Sequence, residues 1–184
     1  MENLNLNSTI DLKRHGKSFY WASFFLPKKA KKNAGILYSI CRYFDDIADN
    51  NNQNKTEYLE NTIRDIKKNK SNKINIFLQK NKIDNHIFVD LIEGLILDQK
   101  EITIQNKEEL INYSYHVAGT VGLMMSKIIG VKDKKALRSA IDLGIGMQLT
   151  NIARDVFEDA QMKRIYLPAT WIPKITLTDL NNIN

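Results

Sequence analysis

The chain has 184 residues, 43% of them apolar and 26% charged, which is the composition of one ordinary globular domain large enough to bury a substantial core. Its net charge of +6 comes from scattered lysines rather than one block, so an acidic partner or a membrane surface fits better than a nucleic acid. The single cysteine, Cys41, excludes an intramolecular disulfide, and neither a signal peptide nor an apolar run of transmembrane length is present, so the expectation is a cytoplasmic protein.

Taken in order, the chain predicts helix after helix. Residues 4–25 form a first helical region interrupted near Gly16 and ended by Pro27. From residue 30 to 49 the apolar positions Ala34, Leu37, Tyr38, Cys41, Phe44, Ile47 and Ala48 keep helical spacing. Cys41 reads as a buried thiol rather than a nucleophile. The asparagine run 50–54 is a loop. Residues 55–68 and 73–80 give shorter amphipathic helices, and 84–97 a fuller one. Residues 107–129 are helical despite Gly119 and Gly122, and 134–159 make the longest helix, again with glycines. No strand alternation persists and no repeat is found. The fold class is all-α, in a single domain over residues 1–184.

Two acidic clusters stand near opposite ends of this pattern. In the helix ending at residue 49, Arg42, Asp45 and Asp49 fall at i, i+3 and i+7; near residue 150, Gln148, Asn151, Asp155 and Asp159 fall at i, i+3, i+7 and i+11. Side chains four apart share one helix face about 6 Å apart along the axis. Each cluster therefore aims two carboxylates in one direction, a mild repulsion that a cation would remove. Paired hard oxygen donors suit Mg²⁺, with Mn²⁺ as an alternative, because Mg²⁺ keeps waters and shares its shell with substrate phosphates. Opposed across a cavity, the two faces would clamp a diphosphate. Taken singly, each stripe also reads as a solvated face with an incidental ion pair, Arg42 with Asp45 or Arg154 with Glu158.

The motifs around these clusters carry a resemblance. Ser18-Phe19-Tyr20, followed by Tyr38-Ser39-Ile40-Cys41-Arg42 and Asp45-Asp46-Ile47-Ala48-Asp49, resembles the first aspartate motif of squalene and phytoene synthases. The run from Tyr113 to Gly122 resembles their central motif. Gln148 through Asp155, Glu158-Asp159-Ala160 and Arg164-Ile165-Tyr166-Leu167-Pro168 resemble the second aspartate motif. The matches keep the family's order from His15 to Trp171, and several look closest to bacterial phytoene synthases.

The resemblance implies an isoprenoid-synthase-type helical bundle around a central cavity. It also implies head-to-head joining of two prenyl diphosphates through a cyclopropylcarbinyl diphosphate, as in carotenoid biosynthesis. Two geranylgeranyl diphosphates would give phytoene; two farnesyl diphosphates would give squalene or dehydrosqualene. By the family match, Asp45, Asp49, Asn151, Asp155 and Asp159 hold Mg²⁺, and Arg42 and Arg154 contact phosphate. His15, Ser18, Gln148 and Arg164 hold diphosphate, Tyr166 borders it, and Tyr113 sits near the reacting centre. Phe19, Val117, Ala118, Val121 and Leu149 line prenyl tunnels.

Other readings stand beside these. Gly119 and Gly122 suit either tunnel width or close helix packing. Tyr113 suits a core position equally well. His86 and His116 read as structural or exposed. Asp98 matches a family position near the cavity but alone passes as a helix-end carboxylate. Lys28, Lys29, Lys31 and Lys32 read first as a solvated helix start and second as an attraction to anionic lipid, with peripheral attachment at the inner face of a membrane. The resemblance also implies about a hundred further helical residues that close the cavity. Their absence here leaves a non-catalytic remnant as a third reading of function, and predicts uncovered apolar faces with Leu91, Leu95, Ile128 and Ile129 as candidates.

Overall fold

The computed structural model describes residues 10–50, 53–99 and 103–171, with the side chains of Ile10, Asp11 and His15 outside that set. Among them the chain is helical: α1 (Ile10–His15), α2 (Lys17–Ala22), a 3-10 turn (Ser23–Phe25), α3 (Lys28–Asp49), α4 (Lys55–Lys67), α5 (Lys73–Lys80) and α6 (Asn85–Leu97). Then follow α7 (Lys107–Ser114), a π-helical turn (Tyr115–Gly119), α8 (Thr120–Ile128), α9 (Lys134–Arg154) and α10 (Val156–Gln161). The only extended pairing in the described residues is an isolated bridge between Thr103 and Ile165. No helix among them is long and apolar enough to cross a membrane.

Local sequence explains the boundaries. Gly16 separates α1 from α2 because the chain there lies against α3: a Cβ on Gly16 would come within 3.1 Å of the Tyr38 ring. Pro27, with φ of −55°, starts α3 without donating an amide. Asn72, Asn106 and Asp133 cap α5, α7 and α9 by accepting from backbone N–H groups of their first turns. The part of the first helical region before residue 10 lies outside the described residues.

The centre is α6. It packs against α3, α4, α8 and the π turn. Seven of its residues are buried, among them Phe88, which meets Phe44 of α3 edge to face at 5.5 Å between ring centroids. Leu37, Ile40, Leu59, Ile66, Leu78 and Met124 complete this core from α3, α4, α5 and α8. A smaller core joins Ile104, Leu110, Tyr113, Ile152 and Tyr166, with Val117 and Leu149 packed on it.

Residues 107–128 are helical throughout, as expected, with Tyr115–Gly119 widened into a π turn. The turn is closely packed: a Cβ on Gly94 would meet the Cβ of His116 at 2.8 Å, and one on Gly144 would meet the Ala118 carbonyl oxygen at 2.4 Å. Gly122 likewise lets α8 approach α9, its Cβ position lying 2.3 Å from the Ala140 carbonyl oxygen. Two expectations are corrected. The helix of residues 134–159 breaks at Asp155, whose φ of −103° and ψ of 19° lie in the bridge region between α9 and α10. Finally, Leu91 and Leu95 are not uncovered but buried, at 2% and 6% exposure. Ile128 is partly buried in the main core, and Ile129 alone of the four is exposed.

Candidate active site

The first acidic face lies on the last turns of α3. Asp45 is half-buried and its carboxyl is pushed up to about 6, first by burial and then by the charges of Asp49, Asp46 and Asp98, with Arg42 opposing. Arg42 itself turns to Asp46, its guanidinium 2.7 Å from that carboxylate across one helical turn. The local pairing expected with Asp45 is thus made with Asp46. One turn before Asp45, Cys41 is half-buried; burial first, and then Asp45, push its thiol upward, so it is inert as a nucleophile.

The second face spans the break between α9 and α10. The Arg154 fork grips the adjacent Asp155 carboxylate through Nε and Nη2, both at 2.5 Å, and holds it below the usual carboxylate range. The backbone ladder continues across the break, with Asp155 N–H donating to Asn151 O at 2.9 Å and Asp159 N–H donating to Asp155 O at 2.8 Å. Asp159 is pushed up to about 6 by burial and then by Asp155, with Arg164 opposing and Asp98 adding to the rise.

What joins the two faces is the chain reversal after α10. Lys163 adopts φ of 60° in the left-handed region, and Arg164 N–H donates to Asp159 O at 2.9 Å. Residues 165–170 then run beside 103–105, fixed by the Thr103–Ile165 bridge and by Ala169 N–H donating to Ile104 O at 2.9 Å. From this position Arg164 reaches Asp49 on α3 at 2.9 Å and Asp98, just after α6, at 3.6 Å. Residues 115 apart in sequence thereby meet.

Asp98 is the hub of the arrangement. Its Oδ1 accepts hydrogen bonds from Tyr113 at 3.1 Å and from Tyr166, while its Oδ2 faces Arg164. The Tyr113 and Tyr166 rings stack at 4.9 Å and 22°. Burial first, and then the Asp98 charge, raise both phenols above the usual tyrosine range, so they remain protonated donors. Asp98 is thus more than a helix-end carboxylate. Its sequence position carries a signal: a carboxylate at the C-terminal end of an apolar helix opposes the helix dipole and is costly unless something else holds it.

Of the expected site residues, Asp45, Asp49, Asp159, Arg164, Tyr113 and Tyr166 converge around Asp98. Arg42 and Arg154 face local partners, and Asp155 is held by Arg154. Gln148 is half-buried and Asn151 exposed on α9, while Val117 sits in the π turn against the smaller core. Ser18 and Phe19 are exposed on α2. The His15 side chain lies outside the described residues. His116 Nδ1 lies 2.8 Å from the Asn112 carbonyl oxygen and His86 is exposed, the structural or exposed placement expected for both.

The donor set suits a hard divalent cation. It is all oxygen, and burial first, with neighbouring carboxylates adding to it, raises the Asp45 and Asp159 carboxyls. Among the described residues no three acidic, histidine or cysteine side chains form a ready-made metal cage.

Comparison with known proteins gives the family. The family model of squalene/phytoene synthases matches residues 12–182, so the chain belongs to that family. The 15-cis-phytoene synthase of Enterobacter agglomerans is 34% identical over 183 residues, covering 90% of this chain and 62% of that enzyme. A crystal structure of a dehydrosqualene synthase in complex with ligand superposes with a TM-score of 0.78 at 32% identity, covering 93% of this chain and 64% of that one. The squalene synthase HpnC from Alicyclobacillus acidocaldarius shares the fold, with a TM-score of 0.79 at 24% identity over 91% of this chain and 68% of its own. The chain thus spans about three-fifths of the length of the phytoene synthase it matches.

Proposed function

We propose that this chain carries the diphosphate-binding half of a Mg²⁺-dependent prenyltransferase that joins two geranylgeranyl diphosphates head to head, through a cyclopropylcarbinyl diphosphate, into phytoene. The observation that supports the reading is Arg164, which follows the second acidic face in the chain and pairs with Asp49 of the first and with Asp98.

Asp45, Asp49, Asn151, Asp155 and Asp159 would hold Mg²⁺, which when bound supplies the Lewis acidity that lets an allylic diphosphate ionise. Arg164, paired with Asp49 and Asp98, would offer the departing diphosphate a charge-assisted partner. Arg154 and Arg42 are held at the rim by Asp155 and Asp46, from where each can turn to phosphate oxygens. Gln148, Ser18 and His15 would add polar contacts to the diphosphate. Tyr113 and Tyr166, protonated and stacked, present hydroxyls and ring faces at the reacting end without offering a base. Val117, Leu149 and Phe19 would begin the apolar path for the prenyl tails. Leu143 and Met147, 66% and 43% exposed on another side of α9, would offer further apolar surface to a prenyl tail.

A second reading is condensation of two farnesyl diphosphates to dehydrosqualene or squalene. The likeness to the dehydrosqualene synthase, at 32% identity, favours it. Incubation with each prenyl diphosphate and Mg²⁺, followed by analysis of the hydrocarbons, separates the two. Calorimetry with a non-hydrolysable prenyl diphosphate tests the site independently of turnover. Affinity unchanged by Mg²⁺ would remove the basis for either reading.

A further inference from the structure

We propose that Lys55, with Thr56 beside it, is a positioning residue for the cation and diphosphate site: the first turn of α4 clips together the two helix ends that carry Asp49 and Asp98. Lys55 Nζ donates to the Ala48 carbonyl oxygen at 2.7 Å, immediately before Asp49. Thr56 Oγ1 donates to Gln99 Oε1 at 2.5 Å, immediately after Asp98. From the same turn, the Tyr58 hydroxyl lies 2.9 Å from that of Tyr43, which precedes Asp45 on α3. Consecutive residues of α4 thus fasten the ends of α3 and α6, and the carboxylates at those ends share Arg164, at 2.9 Å from Asp49 and 3.6 Å from Asp98. The role rests on the diphosphate reading of that site.

The end of α3 needs such a fastening. Asp45, Asp46 and Asp49 stand at the negative end of its dipole, and its last turn contains no basic residue. The final carbonyls of a helix have no donor within it, so a cation reaching in from the next helix supplies both a hydrogen bond and the missing charge. Lys55 does this at Ala48, in the turn from which Asp45 and Asp49 project. Fraying of that turn would carry Asp49 away from Asp45 and from Arg164. Mg²⁺ tolerates little departure from octahedral geometry, so it would feel such a displacement more than a bare anion would. Groups that stand behind metal ligands and hold them in place characteristically act through this route. Lys67 serves as the comparison: it lies at the opposite end of α4, where it pairs with Glu93 at 3.5 Å in a largely exposed contact.

The test is calorimetry of a non-hydrolysable prenyl diphosphate on the whole chain, with and without Mg²⁺, in the wild type and in Lys55→Met, Thr56→Val and Lys67→Met. With Mg²⁺, Lys55→Met is expected to lose about tenfold in affinity and Thr56→Val about fivefold. Without Mg²⁺ both should bind as weakly as the wild type, and Lys67→Met should match the wild type throughout. Hydrogen exchange in the absence of ligand should be faster over residues 45–50 in Lys55→Met than in the wild type or Lys67→Met. Circular dichroism shows which variants fold; if Lys55→Met does not, Thr56→Val, which keeps the ammonium group, decides the matter. Equal losses with and without Mg²⁺ would mean direct contact with phosphate or a loosened fold, and would overturn the proposal. So would a matching loss in Lys67→Met, or unchanged exchange over residues 45–50. A wild type that ignores the ligand in Mg²⁺ removes the diphosphate reading and this role together. A wild type that binds, while the folded Lys55→Met and Thr56→Val variants bind equally well, removes this role alone.

Discussion

Helices α6 and α9 are built on opposite terms. In α6, seven of 13 residues are buried and its neighbours surround it. In α9, only Gly144 and Ile152 of 21 residues are buried, and Leu143 and Met147 stand in water. Burial is therefore concentrated in the first helix, while the second carries proposed site residues on a largely exposed face. One side of α9 is fitted closely, through Gly144, to α8 and the π turn; the other carries proposed site residues and an open apolar strip. What the contrast teaches is that burial alone does not mark importance here. The same helix face that contributes little to the core carries Asn151 and leads to Asp155 and Asp159.

The largest effect should come from breaking the α6 side. Phe88→Ala is expected to cost about 3–5 kcal/mol in urea unfolding, because Phe88 is fully buried against Phe44 and leaves a cavity. A loss below about 1 kcal/mol would show that α6 is not the centre of the core.

Next is the fitted side of α9. Gly144→Ala places a methyl 2.4 Å from the Ala118 carbonyl oxygen, backbone that cannot swing away. It should destabilise by about 1–3 kcal/mol. It should also weaken diphosphate binding, since α9 would be displaced from the π turn. Normal stability and binding together would mean that this contact is soft.

At the site itself, Asp45→Asn should weaken Mg²⁺-dependent binding of a prenyl diphosphate analogue about 10–100-fold, while leaving the fold intact or slightly steadier. Asp98→Asn should weaken it by a similar factor with less dependence on Mg²⁺, because Tyr113, Tyr166 and Arg164 lose a shared anchor. Calorimetry with and without Mg²⁺ distinguishes the two patterns, and equal affinities for wild type and Asp45→Asn would rule out the clamp.

A smaller effect follows from proton linkage. Asp45 and Asp159 are both raised to about 6, above the ordinary carboxylate value, so the fold holds their protons more tightly than the unfolded chain does. Their influence favours folding at low pH, and that stability is lost as pH rises from about 4 through 6. Without metal, the melting temperature of the wild type should therefore rise relative to Asp45→Asn/Asp159→Asn as pH falls from 7 to 5. Mg²⁺ with diphosphate should raise the wild-type value most above pH 6, where the carboxylates are ionised. The opposite slope would mean that these groups are not crowded.

The smallest effect belongs to the open strip of α9. Leu143→Ser should change unfolding stability by no more than about 0.5 kcal/mol, as for other exposed positions. A larger loss would reveal a partner for that face in solution.

The sequence by itself determined the all-α class, most of the helix positions and both acidic stripes, because helical periodicity and i, i+4 spacing are local properties that the backbone obeys whatever surrounds it. The family likeness rested on motifs that are local too. Tertiary structure alone decided the rest. Whether Gly122 widened a tunnel or let helices touch depended on where Ala140 lay, and Leu91 was covered because α6 became the centre. The helix broke at Asp155, whose carboxylate Arg154 holds, and the π turn lies where Gly94 and Gly144 approach it closely. Above all, Asp98 became the hub only when the reversal at Lys163 carried Arg164 and Tyr166 back to it from far along the chain. A carboxylate's role is set by the charges and donors that reach it, and those arrive through the fold, not through sequence neighbours.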